Sequence, residues 1–261
     1  MLKFKVNYNF SHLFLLVLVF LFLFTLGCTQ PTSKKVGSGL IIEKVEYKKN
    51  ITVNDRFEAK VMLKNNGDAE AKNIRIYLEG LSSNWDPKPP LEETVDYLEK
   101  GKSTSVMFMS SPPTVEDKRS YPFSFRVEYD YSASYFGILE IIKDERNNTV
   151  TLKSSSKSIS PLTINLSSYY YDKKRNKVNL KFVLVNKDKG EIKDEVLVIG
   201  EDIICDISRV KFKPGLKSSE PINCELSVSE EYGRYWPEFK LKVSFRYIYT
   251  SDEYKVSVFP S

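Results

Sequence analysis

The stretch that decides the fold of this chain is residues 56–80, which read RFEAKVMLKNNGDAEAKNIRIYLEG. Apolar and polar side chains alternate from 57 to 64, and this period of two places one face of a β-strand on a core and the other in water. The run ends at the polar corner 65–68, Asn-Asn-Gly-Asp, because these residue types favour turns. A second alternating run follows and ends at Gly80. The stretch therefore predicts two strands joined by a short corner.

This unit returns about 120 residues further along the chain. Apolar residues alternate again at 178–184, a polar corner follows at 186–190, and the next run ends at Gly200. The alternating tail at 123–131 is matched by one at 239–247. Because order and spacing both recur, we interpret the chain as two repeats of one β unit. The alternative is that the two stretches are unrelated and look alike only because antiparallel strands in general alternate.

The block 57–80 resembles the immunoglobulin-like modules of prokaryotic surface proteins known as CARDB, the cell-adhesion-related domain, and similar modules occur in archaeal S-layer-related proteins. The first repeat resembles them closely at its corner, 65–68. The second repeat departs there, because Lys-Asp-Lys at 187–189 replaces the Asn-Gly-Asp sequence. The resemblance implies tandem β-sandwiches of about a hundred residues each, without catalytic residues, at the surface of a prokaryotic, archaeal cell.

Length and composition agree with this organisation. The 261 residues suit two domains of sandwich size, and the 13% aromatic content supplies core material without helical periodicity. We predict an all-β protein of two tandem immunoglobulin-like β-sandwich domains, at 40–153 and 162–261. Residues 154–158, Ser-Ser-Ser-Lys-Ser, are of low complexity and place a linker at 154–161. Within the first domain, the pattern at 131–142 is interpreted as a hairpin.

The N-terminal segment 1–28 has the layout of an export signal. Lys3 and Lys5 precede an unbroken apolar run at 13–24. At about 1.5 Å per residue, the segment 13–27 reaches only about 22 Å, which is short of the ~30 Å hydrocarbon core of a membrane. We therefore predict a signal peptide rather than a permanent span.

Gly27-Cys28 at the end of this run resembles the lipobox of prokaryotic lipoproteins, although Thr25 and Leu26 depart from its usual residues. The resemblance implies that Cys28 is lipidated and becomes the first residue of the mature chain. Residues 29–39 are rich in Ser, Gly and Pro, so they predict a flexible tether to the membrane. The predicted location is the extracellular face of the cell membrane. An uncleaved N-terminal helix and simple secretion are the alternatives.

Two further cysteines, Cys205 and Cys224, lie in alternating β segments. In an exported protein two such cysteines most often pair, so we predict a disulfide, with two buried free thiols as the alternative. Three Asn-x-Ser/Thr sequons near predicted strand ends give candidate N-glycosylation sites at Asn50, Asn147 and Asn165.

Two aromatic residues are candidate platforms for a ligand. Trp85 lies in a proline-rich loop, 82–90, that cannot be a central strand because proline lacks the ladder donor. A ligand platform is one interpretation of Trp85, and a ring folded over the end of the sandwich is the other. Tyr170 lies in the run Tyr169-Tyr170-Tyr171, which places rings on both faces of one strand.

The exported part lacks the residues of several reaction types. The sole histidine, His12, lies in the leader, which removes the usual general base and the commonest zinc ligand and excludes Ser-His-Asp and Cys-His sites. We expect no catalytic residue, no metal site and no cofactor. The 39 basic and 34 acidic residues are interspersed, so nucleic acid is not an expected partner.

Three functional hypotheses follow, in order of preference. The first is a non-enzymatic, membrane-tethered module for adhesion, scaffolding or binding of a surface protein. The second is a carbohydrate-binding sandwich of the cell envelope, whose exposed rings act as platforms for a polysaccharide. The third is a hydrolase that uses a pair of carboxylates, for which acidic residues occur at Asp130, Asp144, Glu145, Glu230 and Glu231.

Overall fold

The computed structural model describes residues 38–144, 148–213, 216–229 and 231–261, which fold into strands joined by turns and loops. The predicted all-β class is therefore confirmed. These ranges contain no helix that could cross a membrane. The N-terminal strands are β1 (Leu40–Tyr47), β2 (Asn50–Thr52), β3 (Phe57–Asn65), β4 (Ala71–Glu79), β5 (Leu91–Leu98), β6 (Ser103–Ser110), β7 (Arg119–Lys143) and β8 (Asn148–Lys157). The C-terminal strands are β9 (Leu162–Asp172), β10 (Lys177–Asn186), β11 (Glu191–Glu201), β12 (Ile204–Cys205), β13 (Arg209–Lys211), β14 (Ile222–Ser227), β15 (Gly233–Tyr235), β16 (Glu238–Thr250) and β17 (Tyr254–Phe259).

The strands of the described part form three sheets. A three-stranded sheet has the order β1-β3-β6, and a four-stranded sheet has the order β12-β14-β10-β9. A ten-stranded sheet contains the path β13-β11-β16-β7-β17-β2, with β4, β5, β8 and β15 attached to it. Buried side chains from all three sheets belong to one hydrophobic core. This arrangement of several sheets around a core is consistent with a β-sandwich.

The alternation seen in the sequence places side chains on the core as predicted. In β3 four core-facing side chains are fully buried, namely Phe57, Ala59, Val61 and Leu63. In β10 the equivalent positions are also buried and hold Val178, Leu180, Phe182 and Leu184. Burying each large apolar side chain contributes about 1.5–3 kcal/mol, so these two strands hold the smaller sheets against the core.

The hairpin predicted at 131–142 is wrong, because β7 runs without a turn for 25 residues. Its side chains alternate between core and surface over most of that length, so the pattern contains no reversal. Gly137 does not act as a turn residue. A Cβ atom at this position would lie 2.4 Å from the Phe239 ring, so glycine leaves space for an aromatic side chain of the neighbouring strand.

The length of β7 lets it serve both repeats. β16 is the equivalent strand of the second repeat, and it runs antiparallel beside β7 from the pair Glu238 and Ile138 to the pair Thr250 and Arg126. β17 continues along the N-terminal end of β7 and also pairs with β2. The C-terminal end of β7 pairs with β8 and β15. Each repeat is thus completed by strands from the other part of the chain, and Gly37–Ser261 form one compact unit.

The predicted linker at 154–161 begins inside a strand, because residues 154–157 are the end of β8 and pair with β7. The C-terminal strand β17 falls within the predicted second domain, yet it pairs with β7 and β2 and buries Val256 and Val258 there. Strands therefore cross between the two predicted domains. The domain bounds stay a prediction.

A polar cluster lies at the centre of the pairing between β7 and β16. Arg246 Nε donates to Asp130 Oδ1 at 2.9 Å, and these two residues are directly opposite each other. Asn73 Nδ2 donates to the second carboxylate oxygen, Asp130 Oδ2, at 2.7 Å. Burial raises the pKa of Asp130, but the hydrogen bonds from Arg246 and Asn73 outweigh it and hold the pKa below its ordinary value. The carboxylate is therefore ionised and links the two repeats.

A buried asparagine organises the corner of the first repeat. Asn65 Nδ2 donates to the carbonyl oxygens of Ala69 and Leu98 at 2.8 Å each. Its Oδ1 accepts the Gly67 N–H at 3.1 Å and the hydroxyl of Tyr131, a residue of β7, at 3.2 Å. Burial raises the pKa of Tyr131 to about 12, so its hydroxyl stays protonated and able to donate.

The second repeat builds its corner in the same way. Asn186 Nδ2 donates to the Gly190 carbonyl oxygen at 2.7 Å. The hydroxyl of Tyr247, on β16, donates to Asn186 Oδ1 at 3.3 Å and accepts the Gly190 N–H at 2.9 Å. This network matches that of Asn65 and Tyr131, which supports the interpretation of two repeats although the two corners differ in sequence.

Replacing Asn65 should destabilise the folded unit. Asn65→Ala removes the partner of the Gly67 N–H and the Tyr131 hydroxyl, and we expect the free energy of unfolding to fall by about 3 kcal/mol. Asn66→Ala is the matched control, because Asn66 bonds to the Gly39 carbonyl through its backbone N–H, and it should cost less than ~0.5 kcal/mol. Urea unfolding followed by circular dichroism measures both values, and equal losses would contradict this role of Asn65.

Candidate functional site

The outer face of the four-stranded sheet carries an exposed aromatic ring beside polar groups. The strand register places one residue of each strand in a row across this sheet, in the order Tyr170, Asn179, Glu225 and Ile204. Directly opposite residues of antiparallel strands share a face. Tyr170 and Ile204, at the two ends of the row, are 60% and 75% exposed. These four residues, together with Lys177 and Arg175, are named the Tyr170 face.

The alternation of β9 decides which of its three tyrosines reaches this face. Tyr169 and Tyr171 lie opposite the core residues Leu180 and Val178, so they point inward and pack against the core. The Tyr169 hydroxyl accepts the N–H of Leu152 at 3.2 Å. Only the middle ring of the run therefore points outward, and the sequence prediction of rings on both faces is confirmed.

Charged side chains hold the centre of the Tyr170 face in place. The Glu225 carboxylate accepts a hydrogen bond from Lys177 Nζ and pairs with Arg175 Nη1 at 3.3 Å. The hydrogen bond from Lys177 is the main reason that the pKa of Glu225 lies below its ordinary value. The face thus presents an ionised carboxylate, two cations, an amide and a ring within one row and its neighbours.

The disulfide predicted between Cys205 and Cys224 is confirmed, and the alternative of two free thiols is wrong. The two cysteines are directly opposite each other, so the bond joins the two-residue strand β12 to β14. Next to it, the Asp206 N–H donates to the Asn223 carbonyl at 2.9 Å and the Asn223 N–H donates to Asp206 Oδ1 at 3.1 Å. This brace keeps the exposed side chain of Ile204 at the edge of the Tyr170 face.

The arrangement suits non-covalent recognition of a molecule with both apolar and polar surfaces. The Tyr170 ring offers an apolar side and a polar tip. The Asn179 amide can donate and accept, and the Glu225 carboxylate accepts hydrogen bonds. A planar sugar face or an extended peptide could lie across such a row.

No protein-family model matches the chain, and no curated protein matches it. Among solved structures, it is similar to a mutant of Salmonella alpha-2-macroglobulin, with 12% identity, a TM-score of 0.18 and 83% of this chain covered. It is also similar to Escherichia coli alpha-2-macroglobulin activated by porcine elastase, with 10% identity, a TM-score of 0.19 and 87% of this chain covered. The chain spans only 17% and 22% of the length of these two proteins. A likeness at this level gives neither a family nor a function.

Trp85 does not form a ligand platform, because its side chain is only 2% exposed. The loop that carries it folds back over the core, where Asp86 pairs with Ser111. The Trp85 ring packs edge-on against Phe57 and Tyr121, with ring centroids 5.6 and 5.4 Å away. As the prolines predicted, this loop is not a central strand. The Trp85 ring folds over the end of the core, which was the second interpretation of this residue.

The modification sites have different surroundings. Asn50 is exposed at the start of β2, and Asn165 in β9 accepts a hydrogen bond from Lys157 Nζ at 2.6 Å. Asn147 and the predicted lipidation site Cys28 lie outside the described residues. Glycosylation and lipidation therefore stay predictions.

The carboxylates of the hydrolase hypothesis have different surroundings. Asp130 is occupied by its hydrogen bonds to Arg246 and Asn73. Glu145 and Glu230 lie outside the described residues. Within the ranges that the structure covers, no group of three or more His, Cys, Asp and Glu residues is placed to hold a metal ion.

Sequence reasoning found Tyr170 but missed the residues beside it. Asn179, Glu225 and Ile204 come from three other strands, and only the register aligns them with Tyr170. The sequence contains one indirect signal, since Cys224 and Glu225 are adjacent and the predicted disulfide brings the segment around Cys205 beside them. The sequence also placed Cys205 in an alternating β segment, but it did not give the register that sets Ile204 opposite Glu225.

Removing the disulfide should weaken the sheet beneath the Tyr170 face. The double variant Cys205→Ser/Cys224→Ser opens a loop with a sequence separation of 19 residues. We expect a loss of about 3 kcal/mol in the free energy of unfolding on the chain-entropy estimate. Thermal unfolding with and without a reductant measures it, since reductant should destabilise the native protein and leave the double variant unchanged. If complete reduction left the stability of the native protein unchanged, the prediction would be contradicted.

Proposed function

We propose that this chain is a non-enzymatic binding module of a prokaryotic cell surface, tethered to the membrane through its N-terminus, that uses the Tyr170 face to hold a surface protein. The proposal includes the finer fold assignment, two tandem immunoglobulin-like sandwiches similar to CARDB modules. The observation that carries it is a row across a disulfide-braced sheet, in which a half-buried amide and carboxylate lie between an exposed ring and an exposed aliphatic side chain.

The place where the proposed tether enters the folded unit indicates how the chain would be oriented on the membrane. The Ser38 N–H donates to Asp188 Oδ2 at 2.9 Å in the corner of the second repeat. The Gly39 carbonyl accepts the Asn66 N–H at 2.8 Å in the corner of the first repeat. The last residues of the predicted tether are therefore fixed between the two corners.

The Tyr170 face lies at the far end of the strand that starts at this point. Leu162, the first residue of β9, pairs with Asn186 in the second corner. Tyr170 lies eight positions after Leu162, which corresponds to about 26 Å of extended strand. A chain tethered at its corners would thus present the Tyr170 face away from the membrane.

A second candidate function is the binding of an envelope polysaccharide. The exposed ring of Tyr170 favours it, because sugars stack on aromatic rings while their hydroxyls bond to neighbouring amides and carboxylates. Asn179 and Glu225 supply those groups on the adjacent strands. The two candidates use the same face and differ in the chemistry of the partner.

Removal of the exposed ring should weaken partner binding. Tyr170→Ala should reduce affinity at least about tenfold, since an aromatic residue that anchors a partner typically contributes about 1.4 kcal/mol or more to binding. Tyr97→Ala is the matched control, because Tyr97 is 57% exposed on β5 in the other repeat. The assay compares native and variant chains against solubilised envelope proteins and, separately, a glycan panel.

The two arms of that assay separate the candidate functions. If Tyr170→Ala but not Tyr97→Ala loses binding to a protein ligand, the result supports the protein-binding module. If Tyr170→Ala but not Tyr97→Ala loses binding to a glycan ligand, the result supports the polysaccharide alternative. Equal effects of Tyr170→Ala and Tyr97→Ala would remove the Tyr170 face from the proposal.

The tether is tested at Cys28. Cys28→Ser should leave the membrane fraction or stay unprocessed, because the lipid-bearing thiol is gone. Intact mass and membrane fractionation of the native chain and the variant measure this. If both chains keep the leader and remain in the membrane, an uncleaved anchor replaces lipidation in the proposal.

A further inference from the structure

β6 presents a backbone edge without a partner strand. On one side it pairs with β3, from Ser103 opposite Lys64 to Ser110 opposite Phe57. On its other side, no backbone hydrogen bond from elsewhere in the described ranges reaches residues 103–109. This segment therefore presents outward N–H and C=O groups that can template a further strand.

Other long edges of the protein carry features that discourage such pairing, and β6 does not. β1 has a bulge and three charged residues, Glu43, Lys44 and Glu46. β5 carries three acidic residues, Glu92, Glu93 and Asp96. The register of β9 is interrupted at Ser167. β6 reads Ser-Thr-Ser-Val-Met-Phe-Met-Ser and has no charge, proline, glycine or bulge.

The second repeat shows what occupies the equivalent edge. β14 holds the place of β6, because each is the strand beside the central β10 or β3. In the second repeat β12 pairs antiparallel with β14 and is fastened by the bond between Cys205 and Cys224. By register, Phe108 holds the position of Cys224, and both side chains are 1% exposed. The first repeat has the same edge without the added strand.

We propose that β6 pairs antiparallel with β6 of a second copy of this chain, forming a dimer with two-fold symmetry about Val106. In this register Thr104 faces Phe108 of the partner on the core side, and Ser105 faces Met107 on the outer side. A small residue thus meets a large one on both faces, and no like charges oppose each other. Val106 is the midpoint of the segment 103–109.

The chain already uses this kind of association internally. β7 and β16 are equivalent strands of the two repeats, and they pair antiparallel with each other. The proposed dimer repeats that geometry between chains at an edge that is still open. It would also cover Met107 and Met109, each 40% exposed on the outer face of β6.

The contact is small, so the dimer should be weak and depend on concentration. Pairing of two such segments buries less than the ~1,200 Å² typical of stable complexes. Chains confined to one membrane would associate more readily than chains in dilute solution. The inference does not rest on the proposed function, because β6 belongs to the first repeat and Tyr170 to the second.

Cross-linking of the full-length chain in intact cells tests the dimer. Val106→Cys places two thiols at the symmetry axis, where directly opposite Cβ atoms lie about 5 Å apart. Mild oxidation should give a product of twice the chain mass on a non-reducing gel. Val45→Cys is the matched control, because Val45 is also a half-buried valine but lies on β1, the other edge strand of the same sheet.

Charge introduced beside the axis provides the second variant. Adding Ser105→Lys/Met107→Lys to Val106→Cys should reduce the cross-linked product at least about tenfold, because it brings like charges directly opposite each other. Unfolding temperature checks that the variant is folded. If it is not, Ser105→Lys alone replaces it, because the two lysines then lie diagonally across the axis, about 7–8 Å apart. A yield no higher than that of Val45→Cys, a product of another mass, or no effect of the added lysines in a folded chain would each overturn the proposal.

Discussion

Strands β7 and β16 pair with each other along thirteen residues each, and the rest of the fold is arranged around this contact. Each strand belongs to one repeat at its N-terminal end and extends along the other repeat further on. Beyond this contact, β7 pairs with β17 at its N-terminal end and with β15 at its C-terminal end. Because the backbone groups of a central strand must be paired on both sides, neither repeat has a complete sheet without residues from the other.

Side chains inside the contact between β7 and β16 connect it to the polar corners of the two repeats. Tyr131 and Tyr247, which bond to the corner asparagines, lie on the paired strands themselves. Their rings also contact the rings opposite them, with centroids 6.2 Å apart for Tyr131 and Phe245 and 5.8 Å apart for Tyr129 and Tyr247. A shift in strand register would move hydroxyls and rings together, so the pairing fixes the position of both corners.

The two repeats share a scaffold but expose different chemistry. The second repeat closes its β14 edge with a disulfide-bonded strand and presents Tyr170, Glu225 and Ile204 on the outer face of the sheet. The first repeat leaves the equivalent edge open and presents methionines there. Equivalent strands can diverge in this way because outward side chains do not contribute to the shared core. The two repeats therefore present different side chains on a shared scaffold.

The sequence by itself determined the all-β class, the core-facing positions of β3 and β10, the corners and the disulfide. These are local or pairwise properties, since alternation with period two and turn-forming residues act over a few positions. Only the tertiary structure decided that 131–142 continues a strand, that β17 returns to the first repeat, and that Trp85 is buried. It also decided which residues stand beside Tyr170. Those outcomes depend on which strands pair and in what register, and pairing between distant segments leaves no mark on local alternation.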